Sequence, residues 1–148
     1  MQDAPDAAQL LAAVARFLRD DAGPALARAG DNALAYQARM AANMLAIAGR
    51  QAALAPAMAG AELARLQALL GQAGDLATLN QQLAGRIASG EIGPDHPGLM
   101  DHLWRSTLDK LAVDQPGYDT YRRFTGGLTW PTVLPDAGAC YAAQGSIT

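Results

Sequence analysis

Alanine limits the folds open to this chain, because 34 of its 148 residues are alanine and they recur along most of its length. Alanine has the most favourable helix propensity of all residues and loses no side-chain entropy when a helix forms. Its small side chain also lets neighbouring helices approach closely. The sequence therefore predicts an all-α fold, a five-helix bundle with thin layers of side chains between the helices.

Length and charge exclude several classes of protein. A chain of 148 residues is a usual size for one domain, which needs no metal ion or disulfide bond to fold. The net charge is -3, and the 11 lysines and arginines are scattered, unlike the basic patch of a nucleic-acid binder. There is no apolar run of membrane-spanning length, no signal-peptide pattern and a single cysteine, Cys140. We expect a cytoplasmic protein that binds neither nucleic acid nor membranes.

Apolar residues at helical spacing and capping signals predict five helices. The first begins at Asp6, which can form a capping box with Gln9, and Gly23 and Pro24 end or kink it before a short turn at residues 25–28. The other four are expected at residues 31–54, 57–70, 75–89 and 95–115, with Pro56 separating the second helix from the third. Gly71 is expected to be the C-cap of the third helix and Asp75 the N-cap of the fourth.

The larger apolar residues of each helix are expected to face the core. The inward stripe of the second helix includes Asn43 and has Arg39 and Arg50 along one edge. In chain order the expected inward residues are Leu10, Leu11, Val14, Phe17 and Leu18; Tyr36, Met40, Asn43, Ile47 and Leu54; Leu63, Leu66, Leu69 and Leu70; Leu76, Leu79, Leu83 and Ile87; and Met100, Leu103, Trp104, Thr107, Leu108 and Leu111.

The C-terminal part of the chain differs from the rest. Residues 1–116 are expected to form the helical bundle, and residues 117–148 an irregular segment that is rich in glycine and proline. A disordered tail would not usually carry many aromatic residues. We therefore expect this segment to pack on the bundle or on a partner, because it holds five of the eight aromatic residues, namely Tyr118, Tyr121, Phe124, Trp130 and Tyr141.

Arg39, Asn43 and Arg50 are the first candidates for binding. On a helix these three side chains lie within about 40° of one another, and such a row can hold a phosphate or carboxylate by charge-assisted hydrogen bonds. It can equally form a salt bridge to a partner protein. The structural alternative is an asparagine buried between helices with the two arginines extended along the rim.

No residue set in the sequence makes a complete catalytic or metal site. His96 and His102 are the only histidines, and neither belongs to a zinc or protease motif. Cys140 has no nearby histidine or helix start to lower the pKa of its thiol. We expect no cofactor, no metal and no enzymatic activity. Trp104 and Trp130 join Arg39, Asn43 and Arg50 as candidate contacts to a partner, since tryptophan and arginine are enriched at interface anchors.

Three segments of the sequence together resemble the DUF6285 family of small bacterial helical proteins. They are residues 7–14 (AAQLLAAV), 36–47 (YQARMAANMLAI) and 106–116 (STLDKLAVDQP), and the resemblance extends over about residues 5–120. Gln37 stands where the family often has histidine, and the segment after Tyr118 departs from the family pattern.

The resemblance implies a function in acyl-CoA catabolism. Proteins of this kind are similar to the small accessory subunit of an aminoglycoside-phosphotransferase-like hydroxyacyl-CoA kinase, in a pathway that also contains an acyl-CoA dehydrogenase. We therefore expect a non-catalytic protein that binds and stabilises such a kinase, with the dehydrogenase as a further candidate partner. The alternative is a helical protein that binds a small ligand, an acyl-CoA or another anion. The sequence also leaves a homo-oligomer open.

Overall fold

A computed structural model describes residues 4–126, and its regular elements are all helical. The predicted all-α fold is confirmed, and no β-strand occurs among the described residues. Within the same residues, no helix has both the length and the hydropathy needed to cross a membrane. The α-helices are α1 (Ala7–Phe17), α2 (Gly23–Arg28), α3 (Asn32–Leu70), α4 (Leu76–Ala88), α5 (Leu99–Asp114) and α6 (Asp119–Phe124), and a π-helical turn at Leu18–Ala22 joins α1 to α2.

Local hydrogen bonds explain how the first helix begins and how it continues into α2. The predicted capping box is confirmed: the Asp6 carboxylate accepts from the Gln9 amide at 2.7 Å, and the Gln9 side chain accepts from the Asp6 amide at 2.9 Å. The helical backbone does not end at Gly23 and Pro24. The Gly23 amide donates to the Leu18 carbonyl, five residues back, so the wider π turn leads directly into α2, which has Pro24 in its first turn.

Pro56 does not divide the chain into two helices, and this expectation was wrong. It lies inside α3, which runs unbroken from Asn32 to Leu70. Proline lacks the amide that an α-helix uses at that position. The loss of this hydrogen bond is offset in two ways. Alanine fills most of the neighbouring positions, and α1, α2 and α4 all pack on α3. Gly71 then ends α3 in the left-handed conformation, as predicted.

The first half of α3 is held against α1 and α2 by very small residues. A Cβ atom placed on Gly49 would lie 3.6 Å from the Ala8 carbonyl oxygen, and one on Gly23 would lie 3.9 Å from the Ala35 carbonyl oxygen. The start of α1 therefore lies beside Gly49, and the start of α2 lies beside Ala35, which comes earlier in α3. We call the buried small residues of this contact the alanine seam: Ala15, Gly23, Ala35, Ala38, Ala42 and Gly49.

The alanine seam displaces the larger side chains that were expected to form this part of the core. On α1, the predicted inward residues Leu10, Val14 and Phe17 are 48%, 49% and 57% exposed. On α3, Tyr36, Met40 and Asn43 of the predicted inward stripe are also exposed. The physical reason is that the close approach of the helices leaves room for alanine and glycine only.

The second half of α3 builds a more ordinary leucine core with α4 and the start of α5. Here the predicted inward residues Leu66, Leu70, Leu79 and Leu83 are buried, whereas Ile87 is exposed. The Asp75 side chain caps α4 by accepting from the Thr78 amide, as predicted. The core cluster comprises Leu66, Leu70, Leu79, Leu83, Ile92 and Leu99.

The fifth helix starts later than the sequence predicted, and it buries a different set of side chains. Gly98 has a φ of 82°, which an α-helix does not allow, so α5 begins at Leu99 and not at residue 95 or 96. Leu99 and His102 are buried at its start, while the predicted inward residues Met100 and Leu103 are 60% and 40% exposed.

The chain divides into two units at Ser106 and Thr107. The second unit, as far as it is described, contains the end of α5, a turn and α6. Within it Tyr121 is buried, and Tyr118 and Phe124 are exposed. Residues 119–124, which were expected to be irregular, form α6, because the part of the segment that the structure describes makes a short helix there. The aromatic residues Trp130 and Tyr141 of that segment lie outside the described residues.

Candidate partner-binding surface

An exposed row of large apolar side chains runs along the first half of α3. Tyr36, Met40 and Met44 follow one another at intervals of four residues, and they are 56%, 38% and 64% exposed. Met40 stands two positions from both Ala38 and Ala42, which is about 200° around a helix of 3.6 residues per turn. The row therefore faces away from the alanine seam, and we call it the Tyr36–Met44 face.

The Tyr36–Met44 face exists because the first half of α3 is apolar on two sides, and among the described residues helices cover only one of them. α1 and α2 pack on the side that carries the alanine seam. The spacing of Tyr36 and Met40 is recognisable in the sequence, but it predicted a core stripe, and Met44 was not among the predicted residues. The four-residue interval from Met40 to Met44 was the signal available for it.

The charged residues on this half of α3 are all basic. Arg39 and Asn43 are exposed and Arg50 is half-buried, so the alternative in which Asn43 is buried between helices is wrong. From Asn32 to Gly60 the helix contains these two arginines and no aspartate or glutamate. Arg39 and Arg50 are separated by about 16 Å along the helix axis, at 1.5 Å per residue. The row fits an extended partner better than one small anion.

The two tryptophans that were predicted as partner contacts lie outside α3 in the sequence. Trp104 lies on a different helix, α5, where it is half-buried. Trp130 lies outside the described residues. Their role as partner contacts stays a prediction.

A buried polar cluster joins the second half of α3 to α4 and α5. The Asn80 amide donates to the Glu62 carboxylate at 2.9 Å, which ties α4 to α3. His102 is only 3% exposed, and its Nδ1 atom has no hydrogen-bond partner among residues 4–126. Within the same residues, the buried hydroxyl of Ser106, one helical turn later, also has no partner.

The environment of His102 disfavours its charged form. Burial lowers the pKa of the imidazole most, and the positive charge of Arg65 lowers it further. The carboxylates of Glu62 and Asp101 act in the opposite direction without reversing the result. This environment favours the neutral form of His102. The burial of His102 was not predicted from the sequence, where it was considered only as a metal ligand.

This cluster has little capacity for chemistry. Its histidine is too enclosed to meet a substrate directly. Across residues 4–126, no three histidine, cysteine, aspartate or glutamate side chains are grouped so as to hold a metal ion. The surface features of the first half of α3 are therefore the better candidate for function.

Comparison with models of known protein families identifies the family of this chain. The family model described as "Domain of unknown function (DUF6285)" matches residues 24–118, which is more than half of the chain. The chain belongs to the DUF6285 family. The DUF6285 match includes both the Tyr36–Met44 face and the polar cluster around His102. Searches of curated proteins and of solved structures found no match.

Proposed function

We propose that this DUF6285 protein is a non-catalytic accessory subunit that binds and stabilises an aminoglycoside-phosphotransferase-like hydroxyacyl-CoA kinase in acyl-CoA catabolism. The observation that carries the proposal is the exposed Tyr36–Met44 face. The identity of the partner rests on the resemblance of DUF6285 proteins to the small subunit of such kinases.

The composition of the face supports a role in protein binding. Tyrosine, methionine and arginine are enriched in the centres of protein interfaces, where lysine and glutamate are depleted. Burying apolar area against a partner contributes about 25 cal/mol for each Å² removed from water. Methionine also adapts its flexible side chain to irregular surfaces. A row of Tyr36, Met40 and Met44 beside Arg39 therefore combines anchoring and adaptable contacts.

Co-purification with the kinase tests the proposal. A tagged kinase subunit would be co-expressed with the wild-type chain, with Met44→Asp and, as a matched control, with Met100→Asp, because Met100 on α5 is similarly exposed. We expect the wild-type chain and Met100→Asp to co-purify with the kinase and to increase its soluble yield. Met44→Asp should reduce the co-purified amount at least tenfold.

Two results would contradict the proposal. One is a kinase that is equally soluble and active alone and does not retain the wild-type chain. The other is a Met44→Asp chain that co-purifies as well as Met100→Asp while circular dichroism shows both to be folded.

A further inference from the structure

We infer that the occupant of the Tyr36–Met44 face is an amphipathic helix of a protein partner that carries an apolar row with acidic residues beside it. The inference rests on the proposed function in one respect only, namely that this face binds a protein. It adds the chemistry of the segment that binds.

The spacing of the face suits a helix. Its three side chains are about 6 Å apart along α3, which is four residues at 1.5 Å each. An amphipathic helix repeats its apolar residues at similar intervals and binds apolar surfaces through such a row. The two flexible methionines can adjust to the side chains that pack against them.

The positive charge beside the face determines which residues are favoured next to the apolar row of the partner. Arg39 is exposed at the edge of the row. No aspartate or glutamate occurs in α3 between Asn32 and Gly60, so this part of the helix supplies no negative charge beside Arg39. An acidic residue of the partner would be attracted to the positive charge at this position. A basic residue would be repelled by it and would also lose its hydration on binding.

The same charge pattern argues against two other occupants. In a symmetric pair of copies, two acid-free faces would meet, and Arg39 of each copy would find no carboxylate on the other face. Anionic membrane surfaces attract clusters of about four to eight basic residues. This face offers one exposed arginine and one half-buried arginine.

Designed peptides test the inference on the full chain. Two helical peptides would share an identical leucine row and differ only in flanking residues, glutamate in one and lysine in the other. Fluorescence anisotropy should show at least tenfold tighter binding of the glutamate peptide. Arg39→Glu should abolish or reverse that preference, and Met44→Asp should weaken binding of both peptides. Arg16→Glu, an equivalent charge reversal on α1, should leave the preference unchanged.

The possible failures are distinguishable. Equal affinity for the two peptides, no binding of either, or a preference insensitive to Arg39→Glu would overturn the inference. So would a wild-type chain that forms a dimer which Met44→Asp dissociates, or one that binds anionic vesicles through this face. A clear preference for the glutamate peptide combined with no kinase co-purification would leave the inference standing and contradict only the kinase as the partner.

Discussion

Gly49 of α3 packs against Leu11 of α1 so closely that a Cβ atom on Gly49 would lie 3.6 Å from the Leu11 Cβ atom. That distance is ordinary van der Waals contact, so one methyl group fits and a larger side chain does not. The alanine seam thus fixes which side of α3 is covered, and with it the outward direction of Tyr36, Met40 and Met44.

The first prediction concerns Gly49. Gly49→Ala should stabilise the protein by about 0.5–1 kcal/mol, because alanine is the better helix former and its methyl group fits. Gly49→Leu should destabilise it by about 1–3 kcal/mol through overpacking. Urea unfolding measures both.

Gly60 supplies the control for Gly49. It is exposed inside the same helix and has nothing within 4 Å of an added Cβ atom. Gly60→Ala and Gly60→Leu should therefore both be stabilising. If leucine were tolerated equally at positions 49 and 60, the close contact between α1 and α3 would be refuted.

The second prediction concerns the continuity of α3. Pro56→Ala restores an amide that can donate to the Ala52 carbonyl, and proline is about 3 kcal/mol less favourable than alanine inside a helix. The unfolded chain also gains freedom when proline is removed, which offsets about 0.4–1 kcal/mol. We expect a net stabilisation of about 2 kcal/mol by urea unfolding. A destabilised Pro56→Ala variant would indicate a break in the helix at this residue.

The third prediction concerns pH. The pKa of His102 in the folded protein is lowered from 6.5, so the unfolded chain takes up a proton at a higher pH than the folded one. The unfolding free energy should be highest above pH 6.5 and decrease as the pH falls through the folded pKa. One proton accounts for a slope of at most about 1.4 kcal/mol per pH unit.

His102→Leu isolates this contribution, because leucine keeps an apolar side chain in the buried position and cannot be protonated. Unfolding of wild-type and His102→Leu chains would be compared between pH 5 and 8. As the pH falls, the unfolding free energy of the wild-type chain should decrease relative to that of His102→Leu. A difference that is constant over this range would show that His102 does not titrate as its burial requires.

The sequence predicted the helices better than the faces that they bury. Capping residues act through their own backbone neighbours, so Asp6, Asp75 and Gly71 could be assigned from local sequence alone. Pro56 was misinterpreted because its local penalty is opposed by packing along the whole of α3, which is a tertiary effect.

The burial of α3 could not be predicted from hydrophobicity. Alanine and methionine both occur on this helix at helical spacing, and a scale that ranks Met40 above Ala42 assigns the wrong one to the core. Ala42 is 0% exposed because the neighbouring helices approach too closely for methionine. Arg39 and Asn43 both lie on α3, and their exposure depends on which face of that helix α1 and α2 occupy.

Methionine oxidation tests the central claim, that α3 presents Tyr36, Met40 and Met44 for a partner. Hydrogen peroxide would be applied to the isolated chain and to its complex with the kinase, and mass spectrometry would give the rate at each methionine. In the isolated chain, Met44 should oxidise about as fast as Met100, since the two are 64% and 60% exposed. In the complex the rate at Met44 should fall at least tenfold while that at Met100 stays the same. Slow oxidation of Met44 in the isolated chain, or equal rates at Met44 with and without the kinase, would contradict the account.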